Sequence, residues 1–177
     1  MDNCFCDISE KIINPAEIIS SVARHSRAGN SHGAEVLFLG VVRDHNAGKD
    51  VKSVLYDAFI PLAKNILLEI ATEARARFGQ DLCLAVLHRI GELKVGEISV
   101  AICVSSPHRD EAYKASRYVI EEIKIRAPIW KKEFYIDGDS GWVRGHALCS
   151  AGGYDGVTEA CDGRDHGGRQ VHPHGTG

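Results

Sequence analysis

The chain has 177 residues, a formal net charge of −3, and 44 % hydrophobic and 25 % charged residues. This length and composition are typical of one globular domain with a substantial core. The acidic balance argues against broad nucleic-acid binding, which needs a strongly basic surface, so any cationic site must be local. No apolar run approaches the roughly 20 residues that cross a bilayer, and the first residues lack the pattern of a signal peptide. We therefore expect a cytoplasmic protein with no nucleic-acid or membrane partner.

Caps and prolines predict three helices. The predicted helices span about residues 15–28, 61–78 and 107–127. Asn14 is an N-cap and Pro15 takes the first helical position. The second helix carries a continuous apolar stripe at three- and four-residue spacing and stops at Gly79. Pro128 ends the third helix, because the residue before a proline avoids the α region.

Six segments rich in β-branched residues predict strands. They lie at about residues 34–42, 51–59, 82–90, 98–105, 130–136 and 142–144. We expect the first two strands to form one hairpin and the last two to form another. The order α-β-β-α-β-β-α-β-β is typical of an α+β domain with a mostly antiparallel sheet.

A Gly- and His-rich segment at residues 145–177 follows this predicted domain at residues 1–144. Such a composition cannot bury enough apolar surface to offset its ordering entropy, so we predict a flexible tail. Three histidines of this segment could bind a metal, but only opportunistically: His166, His172 and His174.

The six cysteines do not follow the spacing of a standard zinc site. Cys83 and Cys103 lie within apolar runs, so we expect small core residues there. Cys4 and Cys6 form a C-x-C pair for which a structural role is favoured and a metal or redox role is the alternative. We predict no metal site and no cofactor.

Two clusters that could carry chemistry lie where predicted strands end. Val41, Val42 and Arg43 close the strand at residues 34–42, and a solvated turn is the alternative there. His108 and Arg109 follow another strand at the start of the third helix. Free backbone N–H groups beside a His and an Arg suit a phosphate or carboxylate, although a plain helix start would look the same.

A third cluster, KIRAPIWKKE at residues 124–133, places four cations and one carboxylate around a proline and a tryptophan. Lys124 and Arg126 occupy the last turn of the predicted helix, and Lys131 follows the bend at Pro128. A lysine among other cations is a candidate proton donor or acceptor near neutral pH. The pattern favours an anion pocket over a solvated helix end.

Four segments of the chain resemble the family of molybdopterin synthase large, catalytic subunits, and they keep the order and spacing that the family has. They are FLGVVRDHN, HRIGELKVGE, SSPHRDEAY and KIRAPIWKKE. The resemblance implies an α/β hammerhead with an additional antiparallel β subdomain. It also implies a sulfurtransferase that converts cyclic pyranopterin monophosphate, precursor Z, into the molybdopterin dithiolene during molybdenum-cofactor biosynthesis. The implied sulfur donor is the C-terminal Gly-Gly thiocarboxylate of a small ubiquitin-like subunit, and two large subunits would form the central homodimer of a heterotetramer.

The same resemblance implies roles for individual residues. Lys124 matches the principal catalytic lysine, and Lys131 matches the second essential one. The positions that match substrate contacts are Val41, Val42, Arg43, His108, Arg109, Lys124, Lys131, Lys132 and Glu133. Lys124 would act as an acid–base group or an electrostatic stabiliser, and Lys131 would hold the pterin with its ammonium fixed by Glu133. Two rival functions stay open: a non-catalytic scaffold for a ubiquitin-like partner, and an oligomeric sensor of a small anion.

Overall fold

A computed structural model of the chain describes residues 3–25, 31–139 and 141–144. The elements in chain order are β1 (Cys4–Ser9), α1 (Pro15–His25), β2 (Ala34–Val41), β3 (His45–Asn46), β4 (Lys49–Ala58), α2 (Ile60–Phe78), β5 (Cys83–Arg89), β6 (Gly91–Lys94), β7 (Ile98–Ser106), α3 (Arg109–Arg126), β8 (Ile129–Tyr135), β9 (Gly138–Asp139) and β10 (Val143–Arg144). The predicted α+β class is confirmed. The predicted tail with its three histidines, and the predicted end of the first helix near Ala28, lie outside the described residues.

The first sheet has the strand order β1-β5-β7-β2 and carries helices on both faces. β1 runs parallel to β5, and the other two pairings are antiparallel. In β5, Leu84 and Val86 belong to the core shared with α2 and α3, while Cys83 and Ala85 belong to the core under α1. Because β5 is buried on both faces, its first five residues, CLAVL, are continuously apolar rather than alternating. The prediction that Cys83 and Cys103 are core residues is confirmed.

The second sheet is an antiparallel subdomain with the order β10-β8-β4-β3. β6 pairs with β4, and β9 pairs with β8. A small apolar cluster of Val42, Val51, Val54 and Leu93 supports it. Val42 therefore anchors the segment that joins the two sheets, and this segment also carries Arg43.

The hairpin predicted between the strands at residues 34–42 and 51–59 is wrong. β2 pairs with β7 in the first sheet, whereas β4 pairs with β8 in the second. The chain leaves the first sheet at an irregular pairing between Gly40 and Val41, after which the Val42 N–H donates to the Glu97 carbonyl at 2.9 Å. Apolar alternation marks a strand but does not specify its partner, so this crossing between sheets was not visible in the pattern.

Four short strands were also absent from the prediction, namely β1, β3, β6 and β9. β1 has a mixed sequence, CFCDIS, and forms the edge of the first sheet. The pairing predicted for the last two strands is confirmed, because Lys131 pairs with Val143 across β8 and β10. Among the described helices, none combines the length and the apolar character needed to cross a bilayer.

A proline corner joins α3 to β8. The Ala127 N–H donates to the Ile123 carbonyl at 3.0 Å, and Ala127 then adopts an extended conformation with ψ 131° ahead of Pro128. The predicted end of this helix is confirmed, since an α conformation before proline is sterically disfavoured. The corner places Lys124 in the last turn of α3 and Lys131 near the start of β8.

The loop between β3 and β4 generates a stability prediction. Ala47 and Gly48 both have positive φ, 50° and 75°, which is typical of a type I′ turn. Alanine in this region is strained by roughly 1 kcal/mol, and asparagine tolerates it better. We expect Ala47→Asn to raise the free energy of unfolding by about 0.5–1 kcal/mol and Ala47→Val to lower it by about 1 kcal/mol in urea denaturation. Equal stability of both variants would contradict a strained turn.

Candidate active site

A buried carboxylate on β8 organises the candidate site. Alternation along the strand puts Lys131, Glu133 and Tyr135 on one face. Lys131 Nζ donates to Glu133 Oε1 at 2.7 Å, and the Tyr135 hydroxyl donates to Glu133 Oε2. Glu133 is only 7 % exposed. The ammonium of Lys131, which is partly exposed, is therefore held in one place by a carboxylate that water hardly reaches.

The segment that carries Arg43 reaches the same carboxylate through Asn46. Asn46 Nδ2 donates to Glu133 Oε2 at 2.7 Å and lies 3.4 Å from the Tyr135 hydroxyl. Arg43 Nη2 donates to Asn46 Oδ1 at 3.5 Å. The structure thus brings together three of the predicted residues, Arg43, Lys131 and Glu133.

Sequence reasoning missed Asn46 and Tyr135. Tyr135 could have been found from the two-residue period of the strand, which puts it on the same face as Glu133. Asn46 gave no comparable signal, because its partner lies 87 positions away in the chain. The only local indication was that Asn46 lies in the polar turn that follows Arg43.

The hydrogen bonds around Glu133 also control its ionisation. Burial alone would raise the pKa of this carboxyl group, but the hydrogen bonds from Lys131, Tyr135 and Asn46 outweigh burial and hold the pKa below its ordinary value. Glu133 is therefore an anion at neutral pH and can only accept hydrogen bonds.

Arg126 does not belong to this cation cluster, although the sequence places it beside Lys124. Its guanidinium makes a bidentate ion pair with Glu73 of α2, at 2.6 Å and 3.0 Å, and contacts Glu122 at 3.4 Å. Tyr118 donates to the same Glu73 carboxylate at 2.8 Å. Hydrogen bonds from Arg126 and Tyr118 hold the pKa of Glu73 below its ordinary value. Carboxylates thus compensate the charge of Arg126, and the group joins α3 to α2 beside Lys124.

The remaining predicted residues occupy three further places. Val42 is buried, while Val41 is exposed beside Arg43. Lys132 lies on the opposite face of β8 from Lys131, with its ammonium 4.9 Å from the centre of the Phe134 ring. Lys124 is partly exposed on the last turn of α3.

His108 and Arg109 lie at the far end of α3 from Lys124. His108 is the N-cap residue, its N–H lies 3.4 Å from the Ser106 hydroxyl, and both side chains are exposed. At about 1.5 Å per residue, Arg109 and Lys124 are separated by about 22 Å along the helix axis. One chain therefore presents these predicted substrate contacts on two separate surfaces.

The Cys4 and Cys6 thiols lie on β1 and pack partly against the main core. Burial, with a smaller contribution from Cys4, raises the pKa of Cys6 to about 12. A protonated thiol is a poor nucleophile and a poor metal ligand. Within the described ranges, no three His, Cys, Asp or Glu side chains are grouped as metal ligands would be.

Sequence comparison relates the chain to a defined family. A family model described as MoaE protein matches residues 8–126. The molybdopterin synthase catalytic subunit of Synechococcus elongatus is 48 % identical over 144 residues, which cover 81 % of this chain and 87 % of that protein. Molybdopterin synthase catalytic subunit 1 of Mycobacterium tuberculosis is 38 % identical over 139 residues, covering 78 % and 90 % of the two chains.

Structural comparison agrees with these matches. The crystal structure of molybdopterin synthase from Staphylococcus aureus superposes with a TM-score of 0.70 at 36 % identity, covering 82 % of this chain and 99 % of that chain. A complex of subunits 1 and 2 of molybdopterin-converting factor from Helicobacter pylori gives a TM-score of 0.60 at 20 % identity, covering 78 % and 88 %. The second likeness concerns the fold alone. The fold expected from the sequence resemblance is thereby confirmed.

The lowered pKa of Glu133 predicts how stability depends on pH. The stability that this carboxylate contributes is present above its unfolded pKa of about 4.3 and is lost as pH falls through the lower folded pKa. We expect Glu133→Gln to lower the free energy of unfolding at pH 7 by about 1–3 kcal/mol. We also expect the variant to lose less further stability than the wild type between about pH 5 and pH 3. Urea denaturation at several pH values measures both effects.

The exposed Glu10 offers a matched control for that measurement. Glu10→Gln removes a carboxylate of the same type from a solvated position, so it should keep the stability and the acid dependence of the wild type. If the Glu133→Gln variant and the wild type lose the same stability as the pH falls, the Glu133 carboxylate does not contribute the pH-dependent stability that its lowered pKa predicts.

Proposed function

Because the chain belongs to the MoaE protein family, we propose that it is the catalytic subunit of a molybdopterin synthase. It is a sulfurtransferase of molybdenum-cofactor biosynthesis that passes sulfur from a small ubiquitin-like subunit to precursor Z and so makes the molybdopterin dithiolene. The observation that carries this proposal is the Lys131 ammonium, fixed by a buried carboxylate across a proline corner from Lys124. A scaffold would have no need of such a fixed, partly exposed cation.

The proposed chemistry explains why the site is cationic. Each transfer forms a bond from the thiocarboxylate sulfur to a side-chain carbon of the pterin and breaks the bond from that carbon to an oxygen, which leaves as water from a carbonyl carbon or as a phosphate oxygen from an esterified carbon. Water then cleaves the bond between sulfur and the acyl carbon and releases the small subunit as a carboxylate. Both steps move protons and develop negative charge, which positioned cations stabilise. We assign Lys124 as the acid–base or electrostatic group at the reacting carbons, and Lys131 as the group that holds and polarises the substrate.

Contacts to the remainder of the substrate follow from the same assignment. Arg43 can donate to the cyclic phosphate, since a guanidinium matches phosphate oxygens in geometry and charge. The exposed Val41 next to it offers an apolar contact for the pterin, while the buried Val42 holds the segment in place. Lys132 is retained as a proposed contact from the opposite face of β8.

We further propose that two copies of the chain complete each site. His108 and Arg109 suit a phosphate, yet they lie about 22 Å along α3 from Lys124 at about 1.5 Å per residue. Side chains project outward from a helix axis rather than along it, so one chain does not direct both groups at one small molecule. A symmetric homodimer, in which each copy lends His108 and Arg109 to its neighbour, satisfies this constraint. With a small subunit on each large one, the assembly is a heterotetramer.

The corner between α3 and β8 offers a docking place for the tail of the small subunit. Phe59, Ile125 and Trp130 are all exposed there. The Phe59 N–H donates to the Pro128 carbonyl at 3.3 Å, which fixes Phe59 beside the corner. Exposed apolar side chains next to Lys124 can bind an extended Gly-Gly tail and bring its thiocarboxylate to the lysine.

We place the reaction in the cytoplasm. Cys6 and Cys103, two cysteines of the described ranges, are free thiols. Free thiols persist where glutathione and thioredoxin keep cysteines reduced. This supports the cytoplasmic assignment made from the sequence.

Substitution of the two lysines tests the catalytic assignment. We expect Lys124→Ala and Lys131→Ala to lower the conversion of precursor Z by a thiocarboxylated small subunit by about 100-fold or more, because positioned proton donors contribute that much. Binding of the small subunit, measured by calorimetry, should persist. Lys114→Ala is the matched control, since Lys114 is an exposed residue of α3 that pairs with Asp110. Firm partner binding without product from the wild type would favour the scaffold; binding of a phosphate ligand alone would favour the anion sensor.

Mixing two inactive variants tests the shared site. The substitutions Lys124→Ala and Arg109→Ala lie at opposite ends of α3. If each site takes Lys124 from one copy and Arg109 from the other, a mixed dimer keeps one intact site out of two. Statistical exchange of subunits should then restore about a quarter of wild-type activity. A mixture that stays as inactive as its components would show that each chain builds its site alone.

A further inference from the structure

Asn46 occupies a special position between the predicted substrate-binding cations. Its side chain contacts the Arg43 guanidinium on one side and the Glu133 carboxylate on the other, at 3.5 Å and 2.7 Å. Glu133 in turn binds the Lys131 ammonium at 2.7 Å. Within the described residues, Asn46 thus connects the segment between the two sheets to β8.

The orientation of the Asn46 amide follows from the charge of its neighbour. An ionised carboxylate only accepts hydrogen bonds, so the amide NH₂ must face Glu133. The amide oxygen then faces Arg43, which only donates. No other side chain of this length offers a donor and an acceptor in this arrangement. Aspartate keeps the acceptor for Arg43 but places a second anion against Glu133, and alanine removes both contacts.

The backbone at Asn46 does not itself require asparagine. The positive φ angles of the turn belong to Ala47 and Gly48, and Asn46 is the paired strand residue opposite Lys49. Turn chemistry therefore leaves the residue type at position 46 unexplained. The contact to β8 explains it.

We propose that Asn46 is a positioning residue for the synthase reaction, which sets the distance between Arg43 and Lys131 so that both cations contact one anionic substrate. This assignment rests on the proposed function. Asn46 acts through its neighbours and touches no reacting atom. Its loss should therefore weaken substrate binding much more than it slows the chemical step.

Substitutions at position 46 test this assignment. We expect Asn46→Asp to raise the KM for precursor Z about tenfold and to change kcat by less than about threefold. Asn46→Ala should also raise the KM for precursor Z. Calorimetric titration with precursor Z, without the small subunit, should show the same loss of affinity in the absence of turnover. Asn65→Asp on α2 adds the same charge at an exposed position and should match the wild type.

Two further readouts separate positioning from a general loss of structure. The Asn46→Asp defect should shrink as the pH is lowered, because two adjacent carboxylates favour uptake of a proton that restores a donor between them. The charged or titratable side chains that contact this pair are those of Arg43, Lys131 and Tyr135, and Lys49 lies over the Tyr135 ring. Asp44 and His45 precede Asn46 in the chain and contact each other. The double variant Asn46→Asp with Glu133→Gln reverses donor and acceptor and should recover part of the lost affinity.

The outcomes distinguish this assignment from the function on which it rests. A wild type that neither binds nor converts precursor Z overturns the proposed function. A wild type that binds it, together with Asn46→Asp and Asn46→Ala variants of unchanged KM and affinity, overturns the role of Asn46 alone. A fall in kcat without a rise in KM would also overturn it, since it would place Asn46 in the chemical step.

Discussion

An ionised carboxylate buried in a protein costs several kcal/mol unless donors and a cation compensate it, and the candidate site is built around one such group. Glu133 accepts from Lys131, Tyr135 and Asn46, which belong to two different segments of the chain. Removing a donor would leave the desolvation free energy of the Glu133 carboxylate uncompensated. The three hydrogen bonds therefore keep each donor close to the carboxylate. The carboxylate thereby converts Lys131, a flexible side chain in other settings, into a cation at a defined point. A lysine with a defined position can favour a transition state over a ground state, because it does not have to be ordered during the reaction.

The end of α3 depends on a second compensated group. Arg126 is directed away from the site by its bidentate pair with Glu73, and Pro128 turns the chain immediately afterwards. Together they separate the four cations of KIRAPIWKKE into different functions. Arg126 holds the helix, Lys124 and Lys131 remain on either side of the corner, and Lys132 lies on the other face of β8. A charge-dense segment that looks uniform in sequence thus has a structural cation, two candidate catalytic cations and a further cation on the opposite face of β8.

Local physics accounts for what the sequence could predict. Asn14 and Pro15 mark the start of α1, with the Ala16 N–H donating to Asn14 Oδ1 at 3.0 Å, and Pro128 marks the end of α3. The core side of α2 followed from its period, since Ala63, Leu67, Ile70, Ala71 and Ala74 are buried. Partner choice between strands could not be predicted, because apolar alternation is the same whether β4 pairs with β2 or with β8. Asn46 was missed for the same reason: a contact across 87 positions leaves no trace in local spacing. Arg43 and Lys131 were candidates from the residue pattern and also matched the resemblance, whereas the role of Glu133 came from the resemblance alone. The mutual geometry of the three came from the sheet.

The length of α3 sets the remaining constraint on the molecule. A straight helix keeps its two ends apart whatever the side chains do, so His108 and Arg109 at one end do not meet Lys124 at the other. In the homodimer proposed above, a two-fold axis would place the start of one α3 beside the end of the α3 of the other copy. Each chain would then supply half of two sites. An interface of that kind couples assembly to activity, and the isolated chain would lack a complete site for its substrate.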